Sequence, residues 1–327
     1  MNRRSILLAT AGLAVPYLAL GRTAFAQGPY PSRPIRMVVP WPPGQATDLM
    51  ARIAGQQIGA QWGQPLVPEN KAGAGGMIGT DTVAKATPDG YTVLAASTGP
   101  ITTAPLVQRT PYDVEKELAP VAMIGISPYL LTVRNDFPAQ TAAEFIKVVK
   151  ASPGKFTYAS SGTGAAAHLI TLMFLSRAGL DTLHVPFQGS GPALTAVVSG
   201  QVDFAIDTLA ATGPLVRQGA LRGLGISLAA CSELAPDMPP LARLPETAGF
   251  DVGAFGGYMM PAGTPQPIIA RLAAETEKAM GTAEVKQRMA SIGFQAQPRN
   301  TADFTAFLKT HREQFRQVIE ANNLRVD

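Results

Sequence analysis

Short apolar runs alternate with amphipathic helical stretches from residue 35 onward, and this alternation limits the chain to few folds. A run of five or six apolar residues makes a buried strand. A helix between two such runs supplies the crossover that parallel strands require. Strands are expected at 35–39, 65–68 and 91–96, with helices at 48–61, 77–86 and 101–107. A second series follows, with helix 141–151, strand 156–160, helix 165–178, strand 182–186, helix 192–199 and strand 202–206. Between them, 119–133 is the longest extended run, broken once at Pro128, and 221–227 is a second place where the chain can cross back. Residues 229–249, with Pro236, Pro239, Pro240 and Pro245, read as a surface connection. Strand 253–260 and helices 267–280, 283–292 and 301–321 then complete the first series. The expected architecture is α/β: one lobe from 27–126 with 229–327, a second from 127–228, and two crossover strands between them. Such a joint leaves a cleft, and clefts between lobes are where small ligands bind.

Composition agrees with two well-buried cores. The 327 residues are 46% hydrophobic and 15% charged, far from the balance of a disordered chain. Residues 1–26 read as a signal peptide. Arg3 and Arg4 precede an apolar stretch at 6–20, and Ala24-Phe25-Ala26 supplies the small-x-small cleavage pattern. The apolar stretch contains Pro16 and is too short to span a bilayer. Export to the periplasm follows, by the general route or, given the Arg pair, the twin-arginine route. The formal charge of +4 falls to +1 once Arg3, Arg4 and Arg22 leave with this segment, which gives nucleic acid no basic footprint. The single cysteine, Cys231, excludes an internal disulfide, and His168, His184 and His311 lack metal-ligand spacing. Neither a metal nor a cofactor is expected.

Two strand-to-helix loops stand out. Pro40-Trp41-Pro42-Pro43-Gly44-Gln45-Ala46-Thr47-Asp48 is a rigid bend leading into a helix N-terminus, where free N–H groups favour an anion. The same stretch also reads as a turn capped by Thr47 and Asp48. Ser160-Ser161-Gly162-Thr163-Gly164, before a helix starting at Ala165-Ala166-Ala167-His168, offers hydroxyls and glycines at the corresponding edge of the second lobe. Ser97 and Thr98 end another strand, and Asp207 ends the strand at 202–206, either facing a ligand or capping the next helix. The glycines at 73–76 do not match a dinucleotide loop, and they suit a tight turn better. Hydrolysis would need Ser161, His184 and Asp207, but no G-x-S-x-G elbow is present, so no catalytic set is expected.

These residues together resemble a known family. Residues 30–44, from Tyr30-Pro31-Ser32-Arg33-Pro34 to Pro42-Pro43-Gly44, are similar to the mature start of the Bug (TctC-like) proteins, the periplasmic solute-binding components of tripartite tricarboxylate transporters. The likeness continues through Glu69-Asn70-Lys71-Ala72-Gly73, Pro88-Asp89-Gly90-Tyr91, Tyr158-Ala159-Ser160-Ser161-Gly162, His184-Val185-Pro186-Phe187, Gly200-Gln201-Val202-Asp203 and Pro261-Ala262-Gly263-Thr264-Pro265. The resemblance implies a type II periplasmic-binding-protein fold. It also implies a small carboxylated solute (a di- or tricarboxylate, an acidic amino acid or an aromatic acid), a membrane permease as partner, and a monomer. By position it assigns solute contacts to Pro43, Gly44, Gln45, Ala46 and Asp48 in one lobe. In the other it assigns Ser160, Ser161, Gly162, Thr163, Ala166, His168 and Asp207, with Ser97 and Thr98 as additions. Gln45 stands where the family usually has a second glycine, and Thr208 where it usually has asparagine. A sensory protein that presents its liganded form to a membrane signalling partner is the alternative reading of the same fold.

Overall fold

The computed structural model describes residues 30–324, so the leader read at 1–26 lies outside the described residues. The first series forms β1 (Ile35–Val39), α1 (Ala46–Trp62), β2 (Leu66–Asn70), α2 (Met77–Ala84) and β3 (Thr92–Ser97). Short helices α3 (Ala104–Val107) and α4 (Val114–Glu117) lead into the 16-residue β4 (Leu118–Val133). The second series is α5 (Ala142–Lys150), β5 (Thr157–Ser160), α6 (Ala166–Ala178), β6 (Leu183–Pro186), α7 (Ser190–Val198), β7 (Phe204–Thr208), α8 (Leu209–Arg217) and β8 (Arg222–Ile226). The chain closes with β9 (Gly253–Pro261), α9 (Gln266–Met280), α10 (Ala283–Ser291), β10 (Gln295–Arg299) and α11 (Thr301–Ala321).

Local chemistry accounts for the elements that carry the site. Met37, Val38 and Val39 are fully buried because helices cover both faces of the parallel β1–β2 and β1–β3 pairs. α1 stops at Gly63, whose left-handed φ of 66° ends the helix without a Cβ penalty. The N-terminus of α5 is capped from both sides: the Thr141 hydroxyl accepts from the Glu144 N–H, and the Glu144 carboxylate accepts from the N–H of Gln140, the residue before the cap.

One strand holds the two sheets together. The first sheet runs β2-β1-β3-β9-β4 with β10 along the same stretch of β4; the second runs β4-β7-β5-β6 with β8 also on β4. From Leu118 to Pro128, β4 pairs with β9; from Tyr129 to Val133 it pairs with β7. The change of partner falls at Pro128, which has no N–H to continue the first ladder. The expected passage of this strand from one sheet to the other is thus observed.

The return falls at the last residue of the expected run 221–227, beyond the strand that the run contains. β8 pairs with Leu130–Val133 of β4, touches Pro240 through Ile226, and does not itself cross. The crossing occurs at Ser227, whose N–H donates to the Tyr129 carbonyl while its carbonyl accepts from the Val252 N–H. The excursion between them is more than surface. Leu241 and Phe250 are 1% exposed, and Phe250 meets Phe174 at 5.7 Å between ring centroids. The prolines that signal a connection also fix its turns, which lets two apolar side chains point inward. β10 escapes sequence reading because Gln295-Ala296-Gln297-Pro298-Arg299 has no apolar alternation. It pairs where Gly125 lets the strands approach, since a Cβ there would lie 2.5 Å from the Gln295 carbonyl oxygen. α11 fastens both halves: Phe304 packs on Phe255, whereas Phe315, Val318 and Ile319 join the core that contains Phe174 and Phe204. Among the described residues no helix is long and apolar enough to cross a membrane.

Candidate ligand-binding cleft

Helix starts from the two series face a common cavity of about 570 Å³. On one side it is lined by Gln45, Ala46 and Thr47 at the start of α1, and by Ser97 and Thr98 at the end of β3. On the other side it meets Ser161, Gly162, Thr163 and Ala166 before and within α6, and Asp207 and Thr208 at the end of β7. The first i→i+4 bonds of these helices run from Leu49 N–H to the Gln45 carbonyl and from Leu169 N–H to the Ala165 carbonyl. The N–H groups of residues 46–48 and 166–168 therefore have no carbonyl within their own helix. Both helices begin at the cavity wall, so two positive dipole ends converge there.

Neutral donors dominate this wall. Among the described residues, no Lys, Arg or His lines the cavity, and Asp207 is the acid in it. Burial raises the Asp207 carboxyl above its usual range; hydrogen bonds from Ser190 and Thr208 oppose that shift without cancelling it. The Thr208 N–H reaches Asp207 Oδ1 at 2.7 Å. The donors offered to an anion here are backbone N–H, hydroxyl and, from Gln45 and Gln108, neutral amide groups.

Five residues carried over as contacts do not line the cavity. Pro43 and Gly44 are exposed on the outer side of the bend. Asp48 is 1% exposed and turned into the protein. Its carboxylate accepts from Gly44 N–H at 2.9 Å, Arg52 Nε at 2.9 Å and Asn70 Nδ2 at 2.8 Å. Burial pushes that carboxyl up, but the bonds from Arg52, Gly44 and Asn70 outweigh it and hold the group below the usual range. Asn70 Nδ2 also donates to the Trp41 carbonyl at 2.9 Å, so Asp48 and Asn70 brace the Pro-rich bend from behind. The helix is not capped by Thr47 or Asp48; Gln45 occupies the N-cap position without a side-chain cap bond.

Ser160 and His168 do the same service on the other side. Ser160 Oγ shares a 2.7 Å hydrogen bond with His184 Nε2 and accepts from Gly162 N–H at 3.2 Å. His168 Nδ1 accepts from Gly164 N–H at 3.1 Å, which makes that nitrogen the unprotonated one. The His168 and His184 rings stack at 4.0 Å, with Tyr158 next in the stack at 4.8 Å from His184. Burial, then the neighbouring His184, lowers the His168 pKa to about 4, so it remains neutral and acts as an acceptor. The Ser161–His184–Asp207 set does not assemble, because His184 bonds Ser160 and Asp207 bonds Thr208.

Sequence reading missed several wall residues, among them Ser127, Tyr129, Phe255 and Phe294. The first three lie inside strands, where an inward hydroxyl or ring has the same pattern as a core residue. Phe294 follows Gly293, which has a φ of +76°; a Cβ there would stand 2.6 Å from Ala210 Cα. Ala210 and Phe294 both line the cavity, so Gly293 permits contact between the two halves at its edge. Gly293→Ala is expected to cost about 2–4 kcal/mol through strain and backbone overlap, and to weaken solute binding as well. Urea unfolding and titration of the variant check both effects.

Comparison with known proteins places the chain. A family model described as the tripartite tricarboxylate transporter family receptor, TctC, matches residues 50–324. The chain belongs to this receptor family. Its members are periplasmic solute-binding proteins, not enzymes. The protein BugT of Bordetella pertussis is 36% identical over 308 residues, covering 92% of this chain and 91% of BugT. Rpa4515 of R. palustris, solved with adipate, superposes with a TM-score of 0.77 at 28% identity, covering 89% of this chain and 97% of Rpa4515. MatC from Rhodopseudomonas palustris, solved with bound malate, gives 0.73 at 32% identity, covering 89% of this receptor and all of MatC. The resemblance read from sequence is therefore established at family level, and with it the mixed α/β binding-protein fold.

Proposed function

We propose that this receptor captures a small carboxylated solute in the periplasm and delivers it to the membrane permease of a tripartite tricarboxylate transporter. One observation carries this reading: two helix N-termini, one from each half, open onto a single cavity whose described wall has no cation. One carboxylate gripped from both sides is the simplest use of such a pair. The adipate and malate found in Rpa4515 and MatC support the same solute class.

In this reading Gln45, Ala46, Ser161, Gly162, Thr163 and Ala166 contact the carboxylate region, with Ser97, Thr98 and Asp207 completing the wall. Pro43, Gly44, Asp48, Ser160 and His168 hold those contacts in position. The signal segment at 1–26 directs export and is removed. The mature chain works as a monomer whose two lobes close about β4 and the crossing at Ser227. The excursion at 229–250 and the end of α11 ride with the second lobe, because Phe250 and Phe315 pack in its core.

Thermal shift against a panel of carboxylates tests the function. A solute present at 100 times its Kd stabilises the receptor by about 2.7 kcal/mol. Some carboxylates are expected to raise the melting temperature, while neutral sugars and peptides leave it unchanged. Stabilisation by sugars or peptides with none from carboxylates sinks the proposal.

A further inference from the structure

A second cavity, of about 630 Å³, stands back to back with the cleft. Successive strand residues point to opposite faces, so Ser127 and Ala254 line the cleft while Ile126 and Gly253 line this trough behind it. The trough runs between β10 and α11. β10 turns Gln295, Gln297 and Arg299 into it, three half-buried polar side chains at alternate positions facing a helix, where packing ordinarily places apolar ones. Their donors are largely unspent. Gln295 Oε1 accepts from Ser232 Oγ at 3.2 Å, which leaves the amide N–H groups without an acceptor. Among the described residues neither Gln297 nor Arg299 makes a side-chain hydrogen bond or ion pair.

Arg299 and Asp303 share one end of the trough without pairing to each other. The Arg299 guanidinium lies over the Phe307 ring, 4.7 Å from its centroid. Asp303 Oδ2 accepts from Asn300 Nδ2 at 2.9 Å, and the Asp303 N–H donates to Asn300 Oδ1 at 3.0 Å. Each charge is thus held in place by a third group. Asp251 stands at the other end, where its carbonyl accepts from Gln314 Nε2 at 3.2 Å. The helical rise puts that end about 16 Å from Asp303. A plain anion on Arg299 would meet the Asp303 carboxylate, and a plain cation on Asp303 would meet the guanidinium. A molecule that carries both signs satisfies the two together.

We propose that this trough is a second ligand site that takes a small zwitterion, its carboxylate on Arg299 and its ammonium on Asp303. The planar guanidinium fork, already fixed on Phe307, suits a carboxylate. Gln297 and Gln295 supply neutral amide donors farther along the strand. The site differs from the cleft in kind: the described wall of the cleft has no cation, whereas the trough has one set beside a carboxylate.

Calorimetric titration of the mature receptor with glycine, β-alanine and γ-aminobutyrate tests the site, each beside the plain acid and the plain amine of the same length. The series also measures the charge separation that fits. At least one zwitterion is expected to bind roughly tenfold or more tighter than its matched acid and amine, as a bond to a charged partner would give. Arg299→Gln and Asp303→Asn are each expected to weaken that zwitterion about tenfold, with melting temperatures close to the parent's. A plain acid or amine that binds as tightly overturns the zwitterion assignment. Binding by none of the three zwitterions overturns the site. A zwitterion whose Kd is unchanged in both variants sits elsewhere, which overturns the trough and leaves the carboxylate receptor standing. Failure of every carboxylate in the thermal-shift panel sinks the receptor reading and leaves the trough untouched.

Discussion

Ala46→Pro and Ala166→Pro are each expected to weaken carboxylate binding by about 10- to 100-fold while leaving the fold intact. Ala46 and Ala166 are the first residues of α1 and α6. Proline at that position is well tolerated, since its fixed φ suits the helix and the N–H it lacks has no carbonyl within the helix. The preceding residues are already extended, with φ −71° and ψ 156° at Gln45 and φ −66° and ψ 158° at Ala165, the conformation that a following proline requires. Each substitution thus deletes one N–H from the cavity wall and adds only ring carbons. A hydrogen bond to a charged acceptor contributes about 1.5–3 kcal/mol, which sets the range of the loss. Ala283→Pro makes the same change at the exposed start of α10, away from the cavity, and serves as the control. Calorimetric Kd values and melting curves for the three variants decide the matter. Wild-type affinity in Ala46→Pro and Ala166→Pro would mean that these N–H groups do not touch the solute.

Acid is expected to destabilise the receptor steeply between pH 6.5 and pH 4. His168 and His311 are 3% and 2% exposed, and burial lowers both pKa values to about 4. In the unfolded chain a histidine titrates near 6.5. Across that window the unfolded state binds more protons, so stability is fully present above about pH 6.5 and is lost as pH falls toward 4. Each histidine contributes about 2–3 kcal/mol to the loss. Asp207 acts in the opposite sense, since burial raises its carboxyl and acid relieves that cost, offsetting part of the fall. Urea midpoints at pH 7 and pH 4.5 measure the slope. His311→Gln, which removes the group bonded to the Gly253 carbonyl and Thr102, should lower stability at pH 7 yet flatten the slope. A slope unaltered in both His311→Gln and His168→Gln would show that other groups cause the acid loss.

Much of the fold was legible because burial on both faces leaves a mark in sequence. Met37 to Val39 reads as a strand for the same reason that it sits under two helix layers. The long run ending at Val133 is visible as one strand because nothing breaks its apolar character except Pro128. β10 was illegible because its pairing depends on Gly125 in a distant strand, not on its own residues. The site divides in a similar way. The two loops announce themselves through glycine, proline and hydroxyl residues, but sequence does not say which way Asp48 turns. Arg52, one helical turn along, and Asn70, at the end of β2, draw it inward. Ser127 carries no local signal, since a serine inside a strand looks the same whether it meets a neighbour or a void.

The position of β9 sets the order in which the molecule can be assembled. β9 lies between β3 and β4, yet it begins at Gly253, after the whole second series has been made. Until then β3 presents an open edge, and the first half of β4 lacks its neighbour. Contacts between segments so far apart in sequence form slowly. The N-terminal part of a nascent or translocating chain therefore stays open and prone to edge pairing until the last quarter arrives. Truncation before residue 253 would leave the second sheet's strands complete and the first sheet without its centre.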